Sequence, residues 1–319
     1  MANLEKEPIA FPDPGPDSES GRIVTGGSYD TLIKIWDPAT GQCLRTLDEH
    51  SKWVRSVTWS PDGHRFASSS DDKSVKIWDL ATGQCLATLL GHDDVVWRVA
   101  WSHDSSRLAS SSLDKIKIWD PATGRCISNL DGGGICVYSI EWSRDSHQLA
   151  TALDDNLKIW DLATERCVLT LNNLGSFIYS VAWSGDGSRL ASGSSDHAIK
   201  IWDPVTGQCL STFNGHESTV YALAWSPQNP KVKSRLASGS YDKSVKIWDP
   251  ATGQCILTLN GHTEWIRAVA WSRDGSRLAS AGDDKSVKIW DLSTGECIST
   301  LKGHTSGIWS MKWSAWNAV

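Results

Sequence analysis

Hydrophobic residues in this chain fall in short runs bounded by turn residues, and no stretch shows the 3.6-residue apolar period of a helix. One representative stretch predicts a strand over 53–59 that ends in Ser60-Pro61-Asp62-Gly63. A second strand, over 65–70, ends in Asp71-Asp72-Lys73, and a third covers 74–79. Leu80-Ala81-Thr82-Gly83 then leads into a fourth over 84–89, with the alternation Gln-Cys-Leu-Ala-Thr-Leu. Turns this short join neighbouring antiparallel strands and leave no room for a crossover.

The unit recurs along the chain. Ile-Trp-Asp places Trp36, Trp78, Trp119, Trp160, Trp202, Trp248 and Trp290 at spacings of 42, 41, 41, 42, 46 and 42 residues. Trp-Ser gives a second series: Trp59, Trp101, Trp142, Trp183, Trp225, Trp271 and Trp313. A cysteine follows each Ile-Trp-Asp tryptophan by seven residues, at Cys43, Cys85, Cys126, Cys167, Cys209, Cys255 and Cys297. Three independent markers agree on seven units. A four-stranded unit of this size cannot bury both faces alone, whereas copies stacked around an axis give each face a neighbour.

At this point the sequence resembles the WD-repeat family. The marks are Gly91-His92, Gly215-His216, Gly261-His262 and Gly303-His304, each followed by an aspartate turn and then Trp-Asp. The resemblance covers about residues 22–313 and implies an all-β, seven-bladed propeller. The chain begins with a second-type strand, 22–26, and ends with a first-type strand, 307–313. One blade must therefore combine both chain ends, as ring closure in the family implies, and this removes an exposed sheet edge. Residues 1–21 read as a flexible acidic, Pro-rich arm, 22–313 as one propeller, and 314–319 as a tail.

The resemblance also implies structural roles for His50, His92, His216, His262 and His304. In the family this histidine bonds the turn aspartate of its blade and connects through Ser or Thr to the repeat tryptophan. Here that implies His50 with Asp72, Ser68 and Trp78, and His216 with Asp242, Ser238 and Trp248. Asp196 and Asp284 are the matching turn aspartates. Two units lack the histidine, with 131–134 and 172–175 in its place, and the first unit offers Gly26 or, by a one-residue shift, Thr25. The regular Ala-Thr-Gly-Gln-Cys and Ser-Val-Lys-Ile-Trp-Asp units look most like the WD regions of fungal and bacterial NLR-like (NACHT/STAND) proteins. There the propeller is thought to sense a partner.

Composition narrows the function. A net charge of −6 gives no general attraction to nucleic acid or anionic membranes. No apolar run approaches the roughly 18 residues of a membrane span, and residues 1–20 do not form a secretory signal. The in-register cysteines read as small buried hydrophobes in a reducing compartment, which points to the cytoplasm. Cys136, off register, reads as an apolar filler. Metal binding is disfavoured because each repeated histidine belongs to a different blade. In the pairs Asp71-Asp72, Asp154-Asp155 and Asp283-Asp284, one member reads as the turn residue and the other as an exposed neighbour. The reading is a monomer with no cofactor, no metal and no catalytic set, hence no enzyme. The insertion 227–234 reads as a loop on the face opposite the histidines.

Positions where the copies disagree locate the candidate site. Of 19 Trp, 14 belong to the two series; Trp53, Trp97, Trp265, Trp309 and Trp316 remain. Four residues before each Trp-Ser tryptophan the units carry Arg55, Trp97, Tyr138, Tyr179, Tyr221, Arg267 and Trp309. Two residues earlier stand Trp53, Val95, Cys136, Phe177, Thr219, Trp265 and Gly307. Residues i and i+2 of a strand share a direction, so both sets belong to one face. Trp, Tyr and Arg are hot-spot residue types, and the bland alternative is that they pack on the next blade. From the first set all seven, and from the second Trp53, Phe177 and Trp265, are expected to bind a partner. The residues before the turn aspartates are Tyr29, Asp71, Leu113, Asp154, Ser195, Tyr241 and Asp283. Three are acidic, which suits a protein or peptide carrying Lys, Arg or methylated Lys. A small molecule or glycan stacked in the same aromatic cup is the alternative.

Overall fold

A computed structural model describes residues 21–113, 115–133, 136–171, 175–228 and 233–314. Among them, 28 strands form seven four-stranded antiparallel sheets. Blade 1 joins the chain ends, with Ile308–Trp313 beside Ile23–Gly27, Ile33–Trp36 and Cys43–Leu47. Blade 2 contains Val54–Trp59, Arg65–Ser70, Val75–Asp79 and Cys85–Leu89, within one residue of the strands the turn signals predict. Blades 3 to 7 repeat it in chain order. Their innermost strands, Arg98–Trp101, Val137–Trp142, Ile178–Trp183, Val220–Trp225 and Ile266–Trp271, contact one another in sequence, and the last contacts Ile308–Trp313. The sheets therefore close into a ring. The expected arm and tail, apart from Gly21 and Ser314, lie outside the described residues, as do Trp316 and half of the 227–234 loop.

The core sits between blades. Val24, Ile33 and Ile35 of blade 1 pack against Val57, Trp59 and Trp78 of blade 2, all nearly inaccessible, and equivalent clusters fill the other interfaces. This explains why period-2 alternation is weak in the inner strands: both faces of each sheet are covered. The two tryptophan series have different tasks. The Ile-Trp-Asp indoles bond within their blade, as Trp78 Nε1 does to Ser68 Oγ at 2.8 Å. Indoles of the Trp-Ser series reach the preceding blade, where Trp59, Trp142, Trp225 and Trp271 donate to the carbonyls of Lys312, Ala100, Ala182 and Ala224.

Blade 1 uses Thr25. Its Oγ1 accepts from Trp36 Nε1 at 2.8 Å and lies 2.8 Å from His304 Nε2. The turn that follows is one residue longer than in blade 2, with Gly27 N donating to the Leu32 carbonyl where Ser70 N donates to that of Ser74, and this supplies the shift. Gly26 instead meets the next blade, where an added Cβ would lie 2.7 Å from Val54 Cγ1.

The cysteine reading requires correction. Six of the seven in-register thiols are exposed and Cys85 is half-buried; all are free. Each Sγ donates to the carbonyl two residues on, as Cys43 does to Arg45 at 3.4 Å. They sit on the outer strand of each blade, which has no further sheet to cover its rim.

Candidate docking face

The histidine motif forms one edge of this face. In blade 2, His50 Nδ1 lies 2.7 Å from Asp72 Oδ2 and its Nε2 lies 2.7 Å from Ser68 Oγ. The acceptor carboxylate fixes the tautomer: Nδ1–H donates to Asp72, Nε2 accepts from Ser68, and Trp78 donates to that same hydroxyl. His216, His262 and His304 repeat the arrangement with Asp242, Asp284 and Asp30. His92 bonds Ser110 Oγ at 2.6 Å; its turn residue, Asp114, lies outside the described residues. Burial alone would raise the aspartate pKa values, but the bond to and charge of His262 together with the two Ser286 bonds outweigh it and bring Asp284 down to about 2. Asp72 and Asp242 are lowered in the same way. In blade 5, without the histidine, Asp196 is held by Ser194 and by Lys200 Nζ at 3.1 Å. These are structural bonds, each group partnered inside its blade.

The first variable set forms a closed belt, each member contacting the next. The Arg55 guanidinium lies 4.4 Å from the Trp97 ring centroid. Trp97 meets Tyr138 at 6.0 Å, Tyr138 meets Tyr179 at 5.2 Å, and Tyr179 meets Tyr221 at 5.3 Å. Arg267 lies 4.8 Å from Tyr221 and 5.4 Å from Trp309. Trp309 returns to Arg55 at 4.2 Å. Seven contacts thus join seven blades around the axis. Cation–π and edge-to-face geometry favour this alternation of Arg and aromatic rings. Arg55 and Tyr221 are buried and the other five are half-buried. Packing on the next blade is therefore realised throughout this set.

The second set stands above the belt. Trp265 and Phe177 are 43% and 49% exposed, and Trp53 is half-buried. Two clusters of the same composition, Tyr, Trp, Arg and Asp, emerge. In one, Tyr29 of blade 1 packs edge-on to Trp53 at 4.2 Å, beside Arg55 and Asp71 of blade 2. In the other, Tyr241 of blade 6 stacks on Trp265 at 4.3 Å, beside Arg267 and Asp283 of blade 7. Arg267 also donates to the Tyr241 hydroxyl. Between them lies blade 1, where Gly307 offers no side chain.

Asp71 and Asp283 are not free neighbours of the turn residues. Arg55 Nη2 donates to Asp71 Oδ2 at 2.7 Å and Arg267 Nη2 to Asp283 Oδ2 at 2.8 Å. Two of the three acidic positions are thus neutralised inside the belt. Asp154 differs: burial and the adjacent Asp155 raise its pKa. Burial also pushes the Cys136 thiol up to about 11, with the Asp154 charge adding to it. The neutral thiol is a poor nucleophile.

Tyr29 and Tyr241 deserve a place beside the predicted site residues. The sequence carried a signal for them: Trp-x-Arg opens the first strand in two units, at Trp53 and Trp265, each with Asp-Asp at its turn and Tyr-Asp at the turn before. Among the described residues no group of three His, Cys, Asp or Glu is placed to hold a metal ion. No helix there is long and apolar enough to cross a membrane, which does not bear on β-barrels.

Comparison with known proteins agrees with the geometry. The model of the family "WD domain, G-beta repeat" matches seven segments: 41–79, 83–120, 124–161, 165–203, 207–249, 253–291 and 295–318. Nuclear distribution protein PAC1 of Arthroderma benhamiae is 50% identical over 52 residues, 16% of this chain and 11% of that protein. PAC1 of Mycosarcoma maydis is 47% identical over 51 residues, again 16% and 11%. The Lissencephaly-1 homolog of Branchiostoma floridae is 50% identical over 44 residues, 14% and 11%. The chain spans about a tenth of the length of these curated relatives. Seven matched repeats in seven closed blades make this chain a member of the WD-domain, G-beta repeat family.

Proposed function

We propose that the chain is a non-catalytic recognition module that binds a protein or peptide segment on the histidine-loop face. WD-repeat propellers are typical protein-interaction scaffolds. The observation that carries the reading is the pair of clusters Tyr29–Trp53 and Tyr241–Trp265 standing on the closed belt. Aromatic anchors already fixed by stacking lose little entropy on binding. The partner we favour places apolar or aromatic side chains on these clusters. It places a Lys or Arg beside Phe177 and Asp154, where Ile178, next to the exposed ring, donates its N–H to the Asp154 carbonyl and no cation pairs with the Asp154 carboxylate among the described residues. Sensing of such a partner would match the NLR-like WD regions that the repeats resemble.

The test compares the full chain with the double variant Trp265→Ala/Phe177→Ala as bait for a displayed peptide library. Both rings are more than two-fifths exposed, so the variant should keep its melting temperature and lose enrichment of bound sequences. Equal enrichment by both proteins rejects this face. A ligand of the glycan or flat small-molecule class would instead raise the melting temperature without any peptide.

A further inference from the structure

The belt roofs a cavity of 740 Å³ that runs down the ring axis and includes Tyr179, Tyr221, Arg267 and Trp309 in its wall. Below the roof the innermost strands mostly present small residues, such as Ser56, Ser139, Ser180, Ala224 and Ala270. Three positions break that rule with charge: Arg98, Glu141 and Lys312. The lower mouth adds Arg144, Arg273 and His103. In a chain of net charge −6, the wall below the belt thus holds four full cations against one carboxylate.

We propose that this cavity is a binding site for a small multivalent anion carrying several phosphate or carboxylate groups, entering from the face opposite the belt. Arg98 crosses the axis, with its guanidinium 5.9 Å from the Tyr221 ring and hydrogen bonds to the carbonyls of Arg55 and Trp97. It has no carboxylate partner among the described residues. Lys312 is exposed to the cavity, and its charge reaches Glu141 and His103 of other blades, opposing the rise that burial imposes on Glu141 and adding to the fall that burial imposes on His103. Cations from blades 1, 3, 4 and 7 therefore converge on one space. Low-dielectric walls of one sign focus the field and concentrate counter-ions, and the volume lies within the range of small-molecule sites. Nothing in ring closure requires these charges, because alanine or serine serves at the same positions in other blades.

The same anion chemistry has a second source. Residues 1–20 carry Glu5, Glu7, Asp13, Asp17 and Glu19 against Lys6, and this segment joins the propeller at Gly21, beside Trp313 of the cavity wall. The experiment is calorimetric titration of the full chain with tripolyphosphate and with citrate. One saturable site is expected, weakened by salt. Lys312→Ala should weaken it about tenfold, the scale of one lost charged contact. Arg273→Ala, at the exposed mouth, should act in the same direction, and Glu141→Gln should tighten binding. Absence of saturable binding, or equal affinities of the wild-type, Lys312→Ala, Arg273→Ala and Glu141→Gln chains, overturns the site. Neutralising the five N-terminal acids distinguishes the sources: tighter tripolyphosphate binding identifies that segment as a competing occupant, and unchanged affinity assigns the site to free anions.

Discussion

Deleting residues 305–319 removes the strand that closes the ring, and the loss can be worked from its contacts. Ile308 and Met311 are almost inaccessible and Trp313 is 7% exposed. At roughly 2 kcal/mol for each such side chain, their burial amounts to about 6 kcal/mol. The strand also supplies Ser310, whose Oγ accepts from Val57 N, and the Lys312 carbonyl that accepts from Trp59. Ser314 and Arg22 exchange two more bonds. Its removal opens the edge of Ile23–Gly27, where Ile23 and Val24 are fully buried in the intact ring. The total reaches about 10 kcal/mol, comparable to the whole 5–15 kcal/mol that holds a typical domain folded. Thermal unfolding followed by near-ultraviolet circular dichroism is the assay, since the signal comes from packed tryptophans. The truncated chain should lose its cooperative transition, and a synthetic 305–319 peptide added in trans should restore it in part. A truncated chain that melts at the wild-type temperature would refute closure by this strand.

Two further predictions concern protons. The Asp284 pKa falls to about 2 in the folded chain, so its stabilising effect is present above the unfolded value near 4 and fades as pH falls through 2. Asp284→Asn should cost about 2 kcal/mol at pH 7 in urea titrations, with the difference from wild type shrinking between pH 4 and pH 2; a constant difference would contradict the assignment. Glu141 shows the opposite sign: burial in the cavity wall lifts its pKa to about 7. The folded state then holds a proton that the unfolded state releases, and stability falls as pH rises from about 4.5 to 7. Glu141→Gln should be more stable than wild type by about 3 kcal/mol at pH 8 and equal at pH 4, and equal stability at both pH values would show a carboxyl that ionises freely.

The structure also changes which tryptophans make clean tests of docking. Trp97 and Trp309 sit in the belt, Trp309 between two guanidinium groups, and truncating either would disturb the roof as well as any contact with a partner. Trp265 and Phe177 stand outside it. The spacing of residues revealed which positions vary but not which of them are occupied by one another.

What repeats along the chain was legible before any coordinates. Seven units, one of them shared between the chain ends, follow from local spacing, because each repeat is one blade and its own strands are sequence neighbours; the link from His50 through Ser68 to Trp78 was what the family resemblance implied. Thr25 replacing Gly26 was open at that level, and the longer turn between Gly27 and Leu32 decided it. The belt, the pairing of Arg55 with Asp71 and Arg267 with Asp283, the exposed thiols and the basic cavity became visible only in the closed ring. Apart from the two ion pairs, each joins or separates residues from different repeats, and the ion pairs span 16 residues across a hairpin. Their distances depend on the curvature of the ring and on side-chain direction at its axis, neither of which is written in the period of the repeat.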